Sequence, residues 1–134
     1  MWAFIDDAPS AVQFIMLVAC AIMGVSHIVR PAMWVEFFTH LHAQGIRGVV
    51  TRTFMLELWP AMLIVTLHQV WQGPGILLTI YGWAQLLKVT IAMLAPELSL
   101  KSLGLARKGD RAFVYGGVML LVVGASAGAA LFWS

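Results

Sequence analysis

Hydrophobic residues form four long stretches along the chain, and most of the charged residues lie between them. The stretches cover about residues 11–28, 49–67, 75–94 and 112–132. Each is close to the ~20 residues that an α-helix needs to cross ~30 Å of hydrocarbon. Because a helix satisfies its backbone hydrogen bonds internally, it is a stable way for such a stretch to lie in lipid. The pattern therefore predicts an all-α, four-transmembrane-helix bundle, with residues 1–134 as a single integral membrane domain.

Composition agrees with a membrane protein and excludes several functions. Hydrophobic residues make up 61% of the 134 positions, charged residues 10%, and the mean hydropathy is +0.90. These values lie outside the range of soluble domains and predict membrane lipids as the surroundings. The net charge is +2 and no basic patch is present, so we expect no nucleic-acid partner. The single cysteine, Cys20, excludes an internal disulfide and a cysteine metal site.

Basic residues predict the orientation of the bundle. Seven of the eight lie at one end of the predicted helices, and the connection at residues 68–74 has none. Such residues are enriched on the cytoplasmic side of membrane proteins. We therefore expect both termini and residues 68–74 to lie outside the cytoplasm (N-out, C-out). The seven basic residues are Arg30, Arg47, Arg52, Lys101, Arg107, Lys108 and Arg111.

The segment 31–43, between the first two spans, has a helical pattern of its own. Trp34, Phe37, Phe38 and Leu41 recur at i, i+3, i+4 and i+7. This pattern predicts a short amphipathic helix in the membrane interface, with Trp34, Phe37 and Phe38 as interfacial anchors. A helix packed onto the base of the bundle would have the same pattern, and the sequence does not separate the two.

Aromatic and small residues predict two further contacts. Trp71 follows the second span, and we expect it to anchor the opposite membrane interface. Gly124 and Gly128 are four residues apart in the fourth span, a spacing that lets a neighbouring helix come close. The neighbour could belong to the same chain or to another copy.

Local signals predict where helices begin and end. Ser10 precedes the first apolar stretch and is a candidate N-cap. Residues 97–110 are predicted to form a polar connection in which Gly104 and Gly109 prevent a continuous helix. Pro60 leaves the carbonyl group of Leu56 without its usual hydrogen-bond donor, which predicts a kink in the second span.

Ionisable residues inside the spans are the main functional clue, because each is costly in lipid unless it is paired or hydrated. Glu57 and Lys88 are predicted to lie at similar depths on antiparallel neighbouring helices, so we expect an interhelical ion pair. Tyr81, Gln85 and Lys88 share one helix face. Arg52 lies near the same membrane surface, so the predicted intramembrane polar cluster is Arg52, Glu57, Tyr81, Gln85 and Lys88. It could hold the helices in register, form a proton or ion pathway, or line a ligand pocket.

Histidines suggest a cofactor, but their spacing does not support one. His40 and His42 are two residues apart and do not share a helix face, and His68 is predicted to lie at the opposite membrane surface. His27 is the candidate ligand, alone or with His40 or His42, although each histidine is expected at a surface or interface. No catalytic or metal-binding motif is present, so we predict no catalytic residue, metal or cofactor and favour a non-enzymatic role.

One part of the chain resembles known proteins. The run Gly24-Val25-Ser26-His27-Ile28-Val29-Arg30-Pro31, followed by residues 68–71, Thr79, Gly82-Trp83, Lys88 and Pro96, is similar to a pattern in small bacterial multi-pass membrane proteins of uncharacterised function. In that group, asparagine usually stands at the position of Gln69 and glycine at that of Val89. Size and the number of spans also resemble DoxX-like proteins. The resemblance implies a bacterial inner membrane and no mechanism.

From these observations we predict a non-catalytic membrane protein, an accessory or structural subunit that packs beside a larger inner-membrane complex or self-assembles. Two alternatives remain. The polar cluster around Glu57 and Lys88 could serve a small proton, ion or solute transporter. His27 could serve a haem-binding or lipid-binding membrane protein.

Overall fold

A computed structural model describes residues 3–105 and 109–133, without the side chains of residues 102–105. Two of the basic residues that predict the orientation, Arg107 and Lys108, lie outside the described residues. No strand occurs in the part of the chain that is described, which makes the fold all-α as predicted. The elements are α1 (Ala8–Val29), α2 (Pro31–Ala43), α3 (Ile46–Arg52), a π-helical turn (Thr53–Leu58), α4 (Trp59–Leu67), α5 (Gly75–Leu94), α6 (Pro96–Leu105) and α7 (Arg111–Leu131).

Within residues 3–105 and 109–133, four helical segments are long and apolar enough to cross a membrane, and the protein is a multi-pass membrane protein. Three are single helices, namely α1, α5 and α7, and the fourth runs continuously over Ile46–Leu67. In the bundle, α1 packs along α7, α5 packs against both α4 and α7, and α1 meets α4 less extensively. We call the end that carries α2 and α6 the basic end, and the end that carries residues 68–74 the turn end.

The start of α1 differs from the prediction. Asp7, not Ser10, is the N-cap, because its Oδ1 accepts a hydrogen bond from the backbone N–H of Ser10 at 2.8 Å. Ser10 is the third residue of the helix, where its Oγ accepts a hydrogen bond from the Asp7 backbone N–H at 3.1 Å. Together they form a reciprocal capping box. The prediction missed this because Pro9 is a favourable residue in the first helical turn rather than a barrier before it.

The second span passes Pro60 through a change of helix type. Proline has no N–H, so the usual i to i+4 hydrogen bond to the carbonyl group of Leu56 cannot form. The turn Thr53–Leu58 just before it is π-helical, with hydrogen bonds from each residue to the fifth one along. This wider pairing lets the span continue into α4 without a break in the helix.

The connections at the basic end are mostly helical. The bounds of α2, Pro31–Ala43, are those expected from the sequence, and its Phe37 and Phe38 pack against a small core that includes Leu41 and Ala92. The third connection differs from the prediction at Gly104, because residues 96–105 form α6, whereas Gly109 lies outside any helix with φ of 127°. A single glycine costs a helix only about 1 kcal/mol, which favourable packing of α6 on α2, α3 and α5 can offset.

Close approach between α1 and α7 depends on glycine. A Cβ atom on Gly117 would lie 2.7 Å from the carbonyl oxygen of Gly24, which is closer than real side chains come. Further along, Gly124 faces Cys20 and Gly128 faces Leu17. The predicted small-residue contact of the fourth span is therefore made within the chain, to α1.

Candidate intramembrane binding site

Three charged side chains meet inside the bundle near its basic end. Glu57 accepts contacts from both neighbours, with its Oε1 3.0 Å from Arg52 Nε and its Oε2 2.9 Å from Lys88 Nζ. The side chains of Arg52 and Glu57 are 6% and 7% exposed, whereas that of Lys88 is 51% exposed. We call this set the ion cluster. It contains the Glu57–Lys88 interhelical pair that the sequence predicts.

The π-helical turn brings Arg52 and Glu57 together. In an α-helix, two residues five positions apart lie about 140° apart around the axis and cannot pair on one face. In a π-helical turn the backbone hydrogen bond runs from residue i to i+5, so the fifth residue lies one turn along and on the same side as the first. The segment Thr53–Leu58 is such a turn, so the guanidinium and carboxylate face the same side. The sequence signal for this turn was Pro60. It has no backbone N–H, so the hydrogen bonding of the preceding turn has to change.

A cavity of about 300 Å³ lies beside the ion cluster, and its wall is mostly apolar. All five residues of the predicted polar cluster line it, together with the candidate ligand His27. The sequence analysis did not identify the apolar part of the wall, which comes from several helices. The lining residues are Met16, Ala19, Cys20, Met23, His27, Trp34, Phe38, Arg52, Leu56, Glu57, Trp59, Pro60, Tyr81, Gln85, Lys88, Gly116, Met119 and Leu120.

The lining residues show from where the cavity can be reached. Trp34 and Phe38 of α2 border it at the basic end. The exposed lining side chains are Trp59 on α4, Lys88 on α5 and Met119 on α7, all on the sides of the bundle. In a bilayer these sides face acyl chains. A molecule dissolved in the membrane would approach the cavity from these sides.

His27 forms the aromatic wall of the cavity together with α2. Its ring stacks on Trp34 with centroids 4.3 Å apart and lies 5.7 Å from the ring of Phe113. The Nδ1–H donates a hydrogen bond to the carbonyl oxygen of Met23 at 2.6 Å, and Trp34 Nε1 donates one to Ser26 Oγ at 2.9 Å. His27 is thus buried, which corrects the expectation of a surface or interfacial histidine. Trp34 stacks on one face of the His27 ring, which the prediction had placed at the membrane interface.

The predicted anchors have two kinds of environment. Trp34, Phe37 and Phe38 are half-buried and contact one another and the base of the bundle, as in the second of the two placements left open for α2. Trp71 is exposed at the turn end, where its Nε1 donates a hydrogen bond to Gln69 Oε1 at 3.2 Å. Their positions relative to lipid headgroups stay predictions.

A second polar site, at the turn end, was missed by the sequence analysis. His68 is fully buried rather than at a surface, with its Nε2 3.0 Å from Gln13 Nε2 and its Nδ1 3.0 Å from Thr79 Oγ1. Thr79 Oγ1 also lies 2.6 Å from the carbonyl oxygen of Val70, to which its hydroxyl donates. Its oxygen is then left to accept from His68 Nδ1–H, and Nε2 accepts from the Gln13 amide. We infer the neutral Nδ1–H tautomer from this pattern.

Burial also lowers the pKa of His68, which agrees with a neutral ring; the nearby Asp7 carboxylate opposes this effect weakly. The site could have been found from Gln13 and Thr79. Both are polar residues near the ends of their spans, at the same side of the membrane as residue 68. This network joins α1, the 68–74 connection and α5. It is a structural clasp whose hydrogen-bonding groups are already used.

An apolar layer separates the clasp from the ion cluster. It is the main hydrophobic core, and it contains no charged side chain. Its buried members are Val12, Met16, Cys20, Ile64, Leu78, Val123 and Ala127. Packed apolar side chains thus lie between the polar groups of the clasp and those of the ion cluster.

The chain matches no protein-family model, no curated protein and no solved structure. The resemblances noted in the sequence accordingly stay predictions, and the function has to be inferred from the cavity and the side chains that surround it.

Proposed function

We propose that this protein is a non-catalytic membrane protein that binds an amphiphile, a molecule with an apolar body and a polar head, taken directly from the lipid phase. The observation that supports this function is the cavity of about 300 Å³, which combines an apolar wall, a charged cluster at one side and lateral access. Small-molecule sites commonly have this combination of apolar lining and a few placed polar groups.

The cavity size favours a small or single-chain ligand. Binding sites for small molecules enclose roughly 300–1,000 Å³, so this cavity is at the lower limit. A lipid with two long acyl chains would exceed it. Lateral access from the bilayer lets the apolar body of the ligand remain in contact with lipid while its head enters the bundle.

The other predicted functions receive less support. The apolar layer between the ion cluster and the clasp interrupts the path that a transporter needs. Gly124 and Gly128, which could have packed against another copy, face α1 instead. Association with a larger complex or with another copy would therefore use a different surface, and it remains a secondary proposal.

We further propose that the protein lies in the bacterial inner membrane with both termini outside the cytoplasm. Support for the orientation comes from the basic residues, of which Arg30, Arg47, Arg52, Lys101 and Arg111 all belong to the basic end. The cavity then opens in the cytoplasmic half of the bilayer. A ligand would reach it from the inner leaflet.

The experiment is native mass spectrometry of the protein after gentle extraction from membranes, combined with a variant that reduces the cavity. Gly116 borders the cavity, and a Cβ atom on it would meet nothing within 4 Å. Because there is room for its Cβ atom, Gly116→Leu should fill part of the space. Ala125→Leu, on an exposed face of the same helix, is the matched control.

The wild-type protein and Ala125→Leu should both retain a small amphiphile on extraction, and Gly116→Leu should retain much less. Equal retention by all three proteins would contradict the proposed site. Reconstituted protein that moves protons or ions down a gradient, with the flux abolished by Glu57→Gln, would favour the transport function instead.

A further inference from the structure

The charges that border the cavity do not balance. Arg52 and Lys88 contribute two positive charges, and Glu57 contributes one negative charge. Both oxygens of Glu57 are taken, one by each cation. The ion cluster therefore presents an excess of positive charge toward the cavity, in surroundings of low dielectric where charge is felt strongly.

Arg52 has a donor group that no part of the described chain uses. Its Nε lies 3.0 Å from Glu57 Oε1, and its Nη2 is buried and makes no hydrogen bond within residues 3–105 and 109–133. The side chain is 6% exposed and lines the cavity. A buried donor without a partner costs roughly 1–3 kcal/mol, and more when it is charged. An oxygen atom of a ligand would remove this cost.

We propose that the cavity selects a single-chain amphiphile whose head is an anion, a carboxylate or a phosphate, bound by Arg52 Nη2 and Lys88 Nζ. This inference rests on the proposed function and specifies the ligand class of the same site. Guanidinium and ammonium groups are the usual partners of both anions. Glu57 is a positioning residue, because it holds both cations at the edge of the cavity.

Each cation has a distinct part in binding. Lys88 is half exposed on the side of the bundle, so its flexible ammonium group meets an anionic head first, at the level where the ligand leaves the lipid. Arg52 is buried and fixed by Glu57, so it determines where the head comes to rest. The chain of the ligand would then lie along the apolar wall, which includes Met16, Met23 and Leu120.

The test compares two probes with the same brominated chain and different heads, the anionic carboxylate of bromoundecanoate and the neutral hydroxyl of bromoundecanol, in nanodiscs of phosphatidylcholine at a pH where the carboxylate is ionised. Bromine quenches tryptophan fluorescence on contact, and Trp34 and Trp59 border the cavity. Saturable quenching reports binding in the cavity, and the linear part reports probe dissolved in lipid. Bromoundecanoate should bind at least about tenfold more tightly than bromoundecanol, as one charge-assisted hydrogen bond predicts.

Variants then assign the selectivity to the ion cluster. Arg52→Gln should weaken bromoundecanoate binding by about tenfold or more and leave bromoundecanol unchanged, because the Nη2 donor and its charge are lost. Arg47→Gln, on an exposed position of the same helix, is the control and should leave both probes unchanged. If Arg52→Gln misfolds and binds neither probe, Lys88→Gln is used instead. It should weaken the binding of bromoundecanoate and leave that of bromoundecanol unchanged.

The outcomes separate the two proposals. If neither probe gives saturable quenching in the wild-type protein, the proposed binding function itself is wrong. If both probes bind equally, or if the Arg52 and Lys88 variants weaken them equally, the cavity binds apolar molecules and the anionic head is wrong. Dodecyl phosphate should displace bromoundecanoate, whereas inorganic phosphate should not. Displacement by inorganic phosphate at a concentration similar to that of dodecyl phosphate would contradict an amphiphilic ligand and indicate a soluble anion.

Discussion

Replacing Glu57 by glutamine should destabilise the folded protein strongly, because it leaves a buried guanidinium without its counter-ion. Arg52 is 6% exposed and has Glu57 Oε1 as its ion-pair partner. Removing one member of a buried ion pair costs about 3–5 kcal/mol, because the remaining charge is desolvated and unpaired. Glutamine retains the size of the side chain, so the loss reports charge rather than packing.

Lys88→Gln is the matched comparison, since it breaks the other half of the same cluster. Lys88→Gln leaves the buried Arg52–Glu57 pair in place, so no buried charge loses its only partner and the loss of stability should be small. We therefore expect Glu57→Gln to be several times more harmful than Lys88→Gln. The double variant Arg52→Gln with Glu57→Gln should recover much of the lost stability, because both buried charges are then removed.

Thermal unfolding can be followed with a dye that becomes fluorescent on reaction with a thiol, because Cys20 is the single cysteine and is 2% exposed. For a chain of this size, Glu57→Gln should lower the unfolding midpoint by roughly 10–20 °C, and Lys88→Gln by less than about 4 °C. Equal and small shifts for the two variants, or no recovery in the double variant, would refute the argument that Arg52 depends on Glu57.

Three further results are expected from the packing and the buried histidine. Gly117→Ala should destabilise the protein by about 1–3 kcal/mol, because its Cβ would lie 2.7 Å from the carbonyl oxygen of Gly24, whereas Gly116→Ala meets no atom and should be neutral or slightly stabilising in the same unfolding assay. Burial lowers the pKa of His68 below its ordinary 6.5, so below about pH 6.5 the unfolded chain takes up a proton that the folded protein does not bind. The midpoint of thermal unfolding should therefore drop between pH 7.5 and pH 5. His68→Gln should show a smaller drop. A maleimide should leave Cys20 unmodified in the folded protein and modify it fully in SDS; rapid labelling before unfolding would contradict its burial.

The helices could be predicted from the sequence because the lipid phase imposes a simple rule on them. A stretch that is apolar throughout and about twenty residues long has few alternatives to a spanning helix, and α2 has an equally clear period. The positions of Glu57 and Lys88 along their spans were similarly informative. The depth of each residue can be measured from the same membrane surface, and the two depths are similar. Two local predictions were wrong. The N-cap of α1 is Asp7 rather than Ser10, and Gly104 does not interrupt α6, because the packing of that helix is not visible in the sequence.

The site was harder to predict because it depends on distances between helices. The pairing of Arg52 with Glu57 requires a π-helical turn, and α-helical periodicity places these residues on different faces. The cavity is a gap between apolar side chains of several helices. No single stretch of the sequence predicts such a gap. The burial of His68 depends on Gln13, which is far from it in the sequence.

The central claim is that the cavity beside the ion cluster holds an amphiphile, and an experimental structure of the protein in native membrane discs tests it most directly. We expect elongated density along the apolar wall of the cavity, with a polar end about 3 Å from Arg52 Nη2. A cavity that is closed by side chains from neighbouring helices, or that contains water alone, would contradict the claim.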